Sequence, residues 1–209
     1  FYFIHMGLKE SLKSITQSME KSSLFINFPF SPDVLTLLSI ILALIGAYYI
    51  YINLIPLALL FISLSLLMDG LDGIVARAQK KQTKFGAFLD GVVDRIVEFI
   101  IIIPLIFSVW PQQVYTQFML LLILLFGSFM TSFLVAYSVH REVVKNKDAG
   151  KMKIIFARAE RTIFLLLVLI FMMFLIDYIA ILTTIGAILS IIAFAQRFLF
   201  VYKYNKGLI

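Results

Sequence analysis

The sequence predicts an all-α integral membrane protein: six transmembrane helices plus an N-terminal interfacial amphipathic helix on the cytoplasmic leaflet. Three observations carry this expectation. Of 209 residues, 62% are hydrophobic and only 14% charged, against about 45–50% and 25% in an average soluble domain. Residues 34–68 and 99–139 contain no charge, and 162–196 contain one, Asp177. These stretches, of 35, 41 and 35 residues, each have room for two spanning helices of about 20 residues, and each has a break near its middle. Their apolar runs are continuous rather than alternating, which argues against a strand barrel. Cys is absent and the only histidines are His5 and His140, so disulfide scaffolds, thiol chemistry and Cys- or His-based zinc sites are excluded.

Taken in order, residues 1–5 read as an appended remnant or the end of something upstream, with Met6 a plausible start, and 6–209 as a single domain. Over 7–26, Leu8, Leu12, Ile15 and Met19 recur at helical spacing while Lys9, Glu10, Lys13, Gln17 and Glu20 lie elsewhere on the wheel. This pattern predicts a helix lying in the membrane interface, and it is too polar for a cleavable signal peptide. Ser31-Pro32-Asp33 opens the first span, because proline suits a first helical turn. The breaks at Asn53 and Pro56, at 110–113 and at Asp177-Tyr178 divide the hairpins into spans 33–52, 55–79, 84–109, 113–140, 157–176 and 179–202. Most lysines and arginines fall in the two loops between hairpins and near both ends, and none in the mid-hairpin breaks. By the positive-inside rule both termini and both basic loops are cytoplasmic.

Four acids stand out against this background. Asp69 and Asp72 are three apart, Asp90 and Asp94 four apart, so each pair shares one helix face. The basic turn near Lys81 lies nine residues from both Asp72 and Asp90, so antiparallel neighbours bring the pairs level, roughly 10–20 Å inside the cytoplasmic face. Four carboxylates at that depth repel one another and resist desolvation, so a cation or protons must join them. Oxygen-only ligands suit Mg²⁺, Mn²⁺ or Ca²⁺. The spacing alone leaves three readings open: a metal-dependent enzyme, a cation or proton transport pathway, and ion pairs with Arg77 and Arg95. Glu98, one turn past Asp94, has no assigned role.

Residues 69–94 contain Asp69, Asp72, Gly73, Ala76, Arg77, Gly86, Asp90 and Asp94 at the spacing DxxDGxxAR…GxxxDxxxD. This resembles the signature of the CDP-alcohol phosphatidyltransferase family, with every fixed position present. The resemblance implies a membrane-embedded enzyme that moves a phosphatidyl-type group from a CDP-linked lipid to an alcohol, releasing CMP. It implies that Asp69, Asp72, Asp90 and Asp94 hold Mg²⁺ or Mn²⁺, two ions in all, with Asp94 also the general base. Asp69, Gly73, Ala76, Arg77 and Gly86 would bind the CDP moiety. It further implies a cytoplasmic-side active site and a homodimer; the bilayer, the donor lipid and a soluble acceptor are the expected partners, with no nucleic acid.

For the acceptor, Arg141 and Lys145 after the fourth span and Arg158 and Arg161 at the start of the fifth form a cationic group. Arginine suits bidentate phosphate binding, although cations also gather at cytoplasmic helix ends for topological reasons. Tyr137 followed by Arg141, the run Ala157-Arg158-Ala159-Glu160-Arg161-Thr162, and Gln196-Arg197 resemble phosphatidylinositol-phosphate and archaetidylinositol-phosphate synthases. Inositol 1-phosphate is accordingly the expected acceptor, glycerol 3-phosphate the next, and serine or free inositol third.

Overall fold

The structure is a computed structural model and describes residues 22–108 and 110–208. The described residues form helices and connecting turns. In chain order the helices are α1 (Ser23–Ile26), α2 (Pro32–Tyr51), α3 (Ile55–Ala78), α4 (Lys84–Phe107) and α5 (Gln113–Leu122). A π-helical stretch (Ile123–Met130) joins α5 to α6 (Thr131–His140), followed by α7 (Asn146–Ala149), α8 (Arg158–Phe174), a 3-10 turn (Ile176–Tyr178) and α9 (Ile179–Asn205). Among the described residues, four segments are long and apolar enough to cross a membrane: Pro32–Tyr51, Ile55–Ala78, Gln113–His140 and Ile176–Asn205. Most of the amphipathic helix expected over 7–26 lies outside the described residues; its described end is the single turn of α1.

Local chemistry sets the helix ends that matter for the site. Ser31 caps α2 by accepting from the Val34 amide, with Pro32 in the first turn, a position where a missing amide hydrogen costs nothing. Thr83 caps α4 by accepting from the Gly86 amide at 2.8 Å. Between α3 and α4 the chain reverses through Lys80, whose φ of 54° is left-handed. The Lys81 amide donates to the Ala76 carbonyl at 2.9 Å, and the Lys80 amide to Arg77 at 3.2 Å. These two bonds make a Schellman closure that satisfies the last free carbonyls of α3 and sends α4 back alongside it.

Small residues allow the close packing. α2 lies against α3 and α4, where Gly46 leaves no space for a side chain: a Cβ there would stand 2.6 Å from Ile62 Cγ1. Ser65 donates to the Ser39 carbonyl at 2.7 Å across the same contact; small and hydroxylated residues at such interfaces let helix backbones approach. On the other side α9 packs on α5 and the π-helical stretch, and α8 packs mainly on α3 and α9. Within the π-helical stretch and just after it, the hydroxyls of Thr131 and Ser132 donate back to the carbonyls of Gly127 and Ser128, the local competition for carbonyls that loosens a helical ladder. Leu, Ile and Phe side chains such as Leu37, Ile41, Leu60 and Ile181 cover the outer surface, as a lipid-facing wall requires.

Candidate active site

The α3–α4 turn delivers the aspartate pairs as the spacing predicts. One carboxylate oxygen from each of Asp69, Asp72 and Asp90 lies within 4.8 Å of the others. Asp94 stands one turn further along α4 and is drawn in through an arginine: Arg158 Nη2 lies 2.6 Å from Asp69 Oδ2 and 2.5 Å from Asp94 Oδ1. Arg95 Nη1 is 3.8 Å from the other oxygen of Asp94, and its Nε donates to the Ser132 hydroxyl at 2.6 Å. On the far side, the Thr36 hydroxyl donates to Asp72 Oδ2 at 2.5 Å.

A cavity of about 360 Å³ opens beside the cluster. Gly73, Ala76, Arg77 and Gly86 all line it, together with Asp72 and Asp90. Asp69, expected at the nucleotide, lies next to the cavity rather than among its lining residues, turned toward Arg158. The Arg77 guanidinium folds back over the bare backbone of Gly73, one turn earlier: a Cβ there would come within 3.3 Å of Arg77 Nη1 and push it outward by a few tenths of an ångström. A Cβ at Gly86 would stand 3.0 Å from Thr83 Oγ1, against the cap of α4. Thr36, Thr83 and Lys81 also line it; the sequence marked Lys81 only as the turn and did not pick out the two threonines.

The donor set fits a hard divalent cation. The three converging groups are carboxylates, and buried Asp69 Oδ1 has no hydrogen-bond partner among the described residues, a group that calls for a positive partner. Oxygen-only ligation is the preference of Mg²⁺ and Mn²⁺.

The four cations expected near the acceptor are placed at different depths. Arg158 is half-buried on the carboxylates. Arg161 is 3% exposed, with Nη2 2.9 Å from Glu98 Oε1 and Nη1 donating to the Phe156 carbonyl at 3.0 Å. Arg141 and Lys145 are exposed in the loop after α6, Arg141 stacked over the Tyr137 ring at 5.8 Å. That loop is tied down by Asp148, which accepts from the Tyr204 hydroxyl at 2.8 Å and pairs with Lys151 Nζ at 2.6 Å. The Lys151 ammonium holds the Asp148 carboxyl below the usual range. Glu98, without a role in the sequence, has a partner in Arg161. Its position one turn past Asp94, on the same face of α4, was the signal available.

A membrane-spanning helical hairpin that presents clustered carboxylates beside a cavity of about 360 Å³ has the parts of a membrane-embedded, metal-assisted transferase. More closely, the chain matches the CDP-alcohol phosphatidyltransferase family over residues 30–196 and belongs to it. It is therefore an enzyme of that family and an integral membrane protein, and the transport reading of its carboxylates falls away. It is 31% identical over 179 residues to an archaetidylinositol phosphate synthase of Pyrococcus horikoshii, an alignment covering 85% of each chain. It is 35% identical over 113 residues to a bifunctional IPC transferase and DIPP synthase of Aquifex aeolicus, covering 54% of this chain and only 24% of that larger protein. The fold is similar to the crystal structure of a phosphatidylinositol phosphate synthase of Mycobacterium tuberculosis with CDP-DAG bound. That likeness has a TM-score of 0.73 at 22% identity, over 90% of this chain and 94% of the other.

Proposed function

We propose that this enzyme transfers a phosphatidyl-type group from a CDP-linked lipid to a phosphorylated alcohol, inositol 1-phosphate first among them, and releases CMP. The observation that carries the reading is the arginine-bridged carboxylate cluster: Asp69, Asp72 and Asp90 converge beside the Gly73–Arg77 cavity, and Arg158 faces them from α8. The named activity of the Pyrococcus relative supports inositol phosphate over glycerol 3-phosphate, serine or free inositol.

The residues divide the work as follows. Gly73, Ala76, Arg77 and Gly86 hold the nucleotide, with Asp69 at its edge. Asp69, Asp72, Asp90 and Asp94 hold Mg²⁺ or Mn²⁺, two ions in our reading, whose charge when bound neutralises the donor's diphosphate. Asp94 takes the proton of the acceptor hydroxyl as the acceptor oxygen bonds to the lipid-side phosphorus and the bond to CMP breaks. Arg158 meets the acceptor's phosphate. Its ion pairs to the aspartates both run through Nη2, so the rest of its planar fork remains for a phosphate. Arg141 and Lys145 attract the anion from the exposed loop, and Arg161 supports Arg158 from beneath.

The placement follows from the same chemistry. Residues 6–209 act as one domain of six spans, with α4 and α8 completing the four apolar crossings and a helix over 7–26 resting on the interface. Both termini and the site face the cytoplasm, where a soluble acceptor arrives while the donor's tails stay in lipid. The protein works as a homodimer.

The test is CMP release by purified protein in lipid, with one CDP-lipid, Mg²⁺ or Mn²⁺, and a panel of acceptors. Release dependent on metal and fastest with inositol 1-phosphate is the expected result. Faster release with free inositol or serine overturns the acceptor reading, and no release with any alcohol overturns the whole.

A further inference from the structure

Beneath the carboxylate cluster lies a second ion pair that the reaction does not explain. Glu98 and Arg161 are each 3% exposed and 2.9 Å apart. Burying two charges this completely carries a desolvation cost that their attraction often fails to repay, so a pair kept there calls for a purpose other than stability. The surroundings are built to hold it. The Phe156 carbonyl, at the entry to α8, accepts from Arg161 Nη1 at 3.0 Å. Gly127 of the π-helical stretch leaves the space taken by the arginine stem: a Cβ there would stand 2.9 Å from Arg161 Cδ.

The pair is also in register with the active site. Glu98 follows Asp94 by one turn of α4, and Arg161 follows Arg158 by one turn of α8, so the ion pairs Asp94–Arg158 and Glu98–Arg161 form two successive rungs between the helices. Apart from these rungs α4 and α8 touch little. With α8 packed mainly on α3 and α9, the rungs are its direct link to α4, and the lower one is sealed from water while Arg158 of the upper one is partly exposed.

We propose that the Glu98–Arg161 pair is a positioning device that fixes the register of α8 on α4 and so sets Arg158 across Asp69 and Asp94. The inference rests on the roles given above to Asp94 and Arg158. Neither Glu98 nor Arg161 touches substrate; both act through Arg158. A misplacement of about 1 Å at a reacting centre costs on the order of a hundredfold in rate, so a shift in helix register is enough to matter.

The test is a cycle of variants in lipid, read by CMP release with saturating metal, a CDP-lipid and inositol 1-phosphate. Glu98→Leu with Arg161→Met removes both charges at similar volume, a replacement that buried pairs tolerate. It is expected to lower kcat/KM for the acceptor about 30-fold while the donor KM stays within about twofold. In an Arg158→Ala background the same pair of changes is expected to cost less than about twofold, because residues that act as a unit are not additive. Effects that multiply in that background, or a paired variant as active as the parent, overturn the proposal. Full activity of Arg158→Ala alone overturns the reading of Arg158, and the positioning role with it. Arg161→Lys, which keeps the charge and loses the fork, makes the same comparison if the paired variant does not fold.

Discussion

The Thr36 hydroxyl donates to Asp72 Oδ2 at 2.5 Å, linking the first turns of α2 to the carboxylate cluster on α3. Both residues are buried. A bond of this kind leaves the other oxygen of Asp72 to face its neighbours, and groups behind a metal ligand commonly tune affinity by 10- to 100-fold. Thr36→Val keeps the shape and removes the donor. It is expected to raise the Mg²⁺ concentration for half-maximal CMP release about tenfold and to weaken Mn²⁺ binding, followed by electron paramagnetic resonance, in the same proportion. Thr36→Ser restores both; equal metal binding in all three proteins would show that Thr36 only packs.

Lys80 closes the α3–α4 turn with a φ of 54°, a conformation in which a side chain is strained and glycine is not. The Schellman bonds of Lys80 and Lys81 use backbone atoms only, so they survive substitution. Lys80→Gly is expected to stabilise the folded protein by about 0.5–1 kcal/mol, seen as a higher denaturation midpoint in detergent, with CMP release unchanged. A lower midpoint would mean that the lysine side chain outweighs the backbone strain.

How far these features were legible in the chain follows from their sequence range. The α3–α4 hairpin and its aspartates could be read because helical spacing and distance from the turn are local properties, and Asp72 and Asp90, equidistant from Lys81, do meet. Contacts joining distant segments left no such trace. Arg158 reaches Asp69 across 89 positions, and Arg161 reaches Glu98 across 63; the packing of α8 on α3, beside α4, brings them together. The same packing puts Arg161 out of water, whereas position at the head of a span suggested a surface cation. The π-helical stretch lies inside what reads as one uniform span, because Gly127, Ser128, Thr131 and Ser132 are unremarkable until their neighbours on α8 and α9 are present.

Asp148 ties the basic loop to the end of α9 through Tyr204, and Lys151, followed by Tyr204, lowers its carboxyl pKa. A carboxyl lowered in the fold contributes stability that is complete above its unfolded value, near 3.9. That contribution is lost as pH falls through the lowered value. Amide exchange at Met152, whose N–H donates to the Ala149 carbonyl at 3.1 Å, is therefore expected to lose protection only below about pH 4, after correction for intrinsic rates. In Asp148→Asn the protection should be weak at neutral pH and no longer depend on acid. Unaltered protection in that variant would place the hold on the loop elsewhere, in buried Val144 and Met152.

Asp94 differs from the other three aspartates in its partners. Asp69, Asp72 and Asp90 face one another, whereas Asp94 stands outside that group, sharing Arg158 with Asp69 and adding Arg95. Standing one turn from the cluster, Asp94 is placed to accept a proton at the edge of the metal site rather than to serve only as a ligand. Asp94→Asn keeps the size and removes the base, so CMP release is expected to fall by 10²- to 10⁴-fold, the usual contribution of a positioned general base. Mn²⁺ binding to the same variant separates the two roles, since Asp69, Asp72 and Asp90 are untouched. Binding weakened by less than about tenfold alongside the lost turnover assigns Asp94 to proton transfer. Binding and turnover lost in parallel assign it to the metal alone, and the acceptor's proton then needs another base.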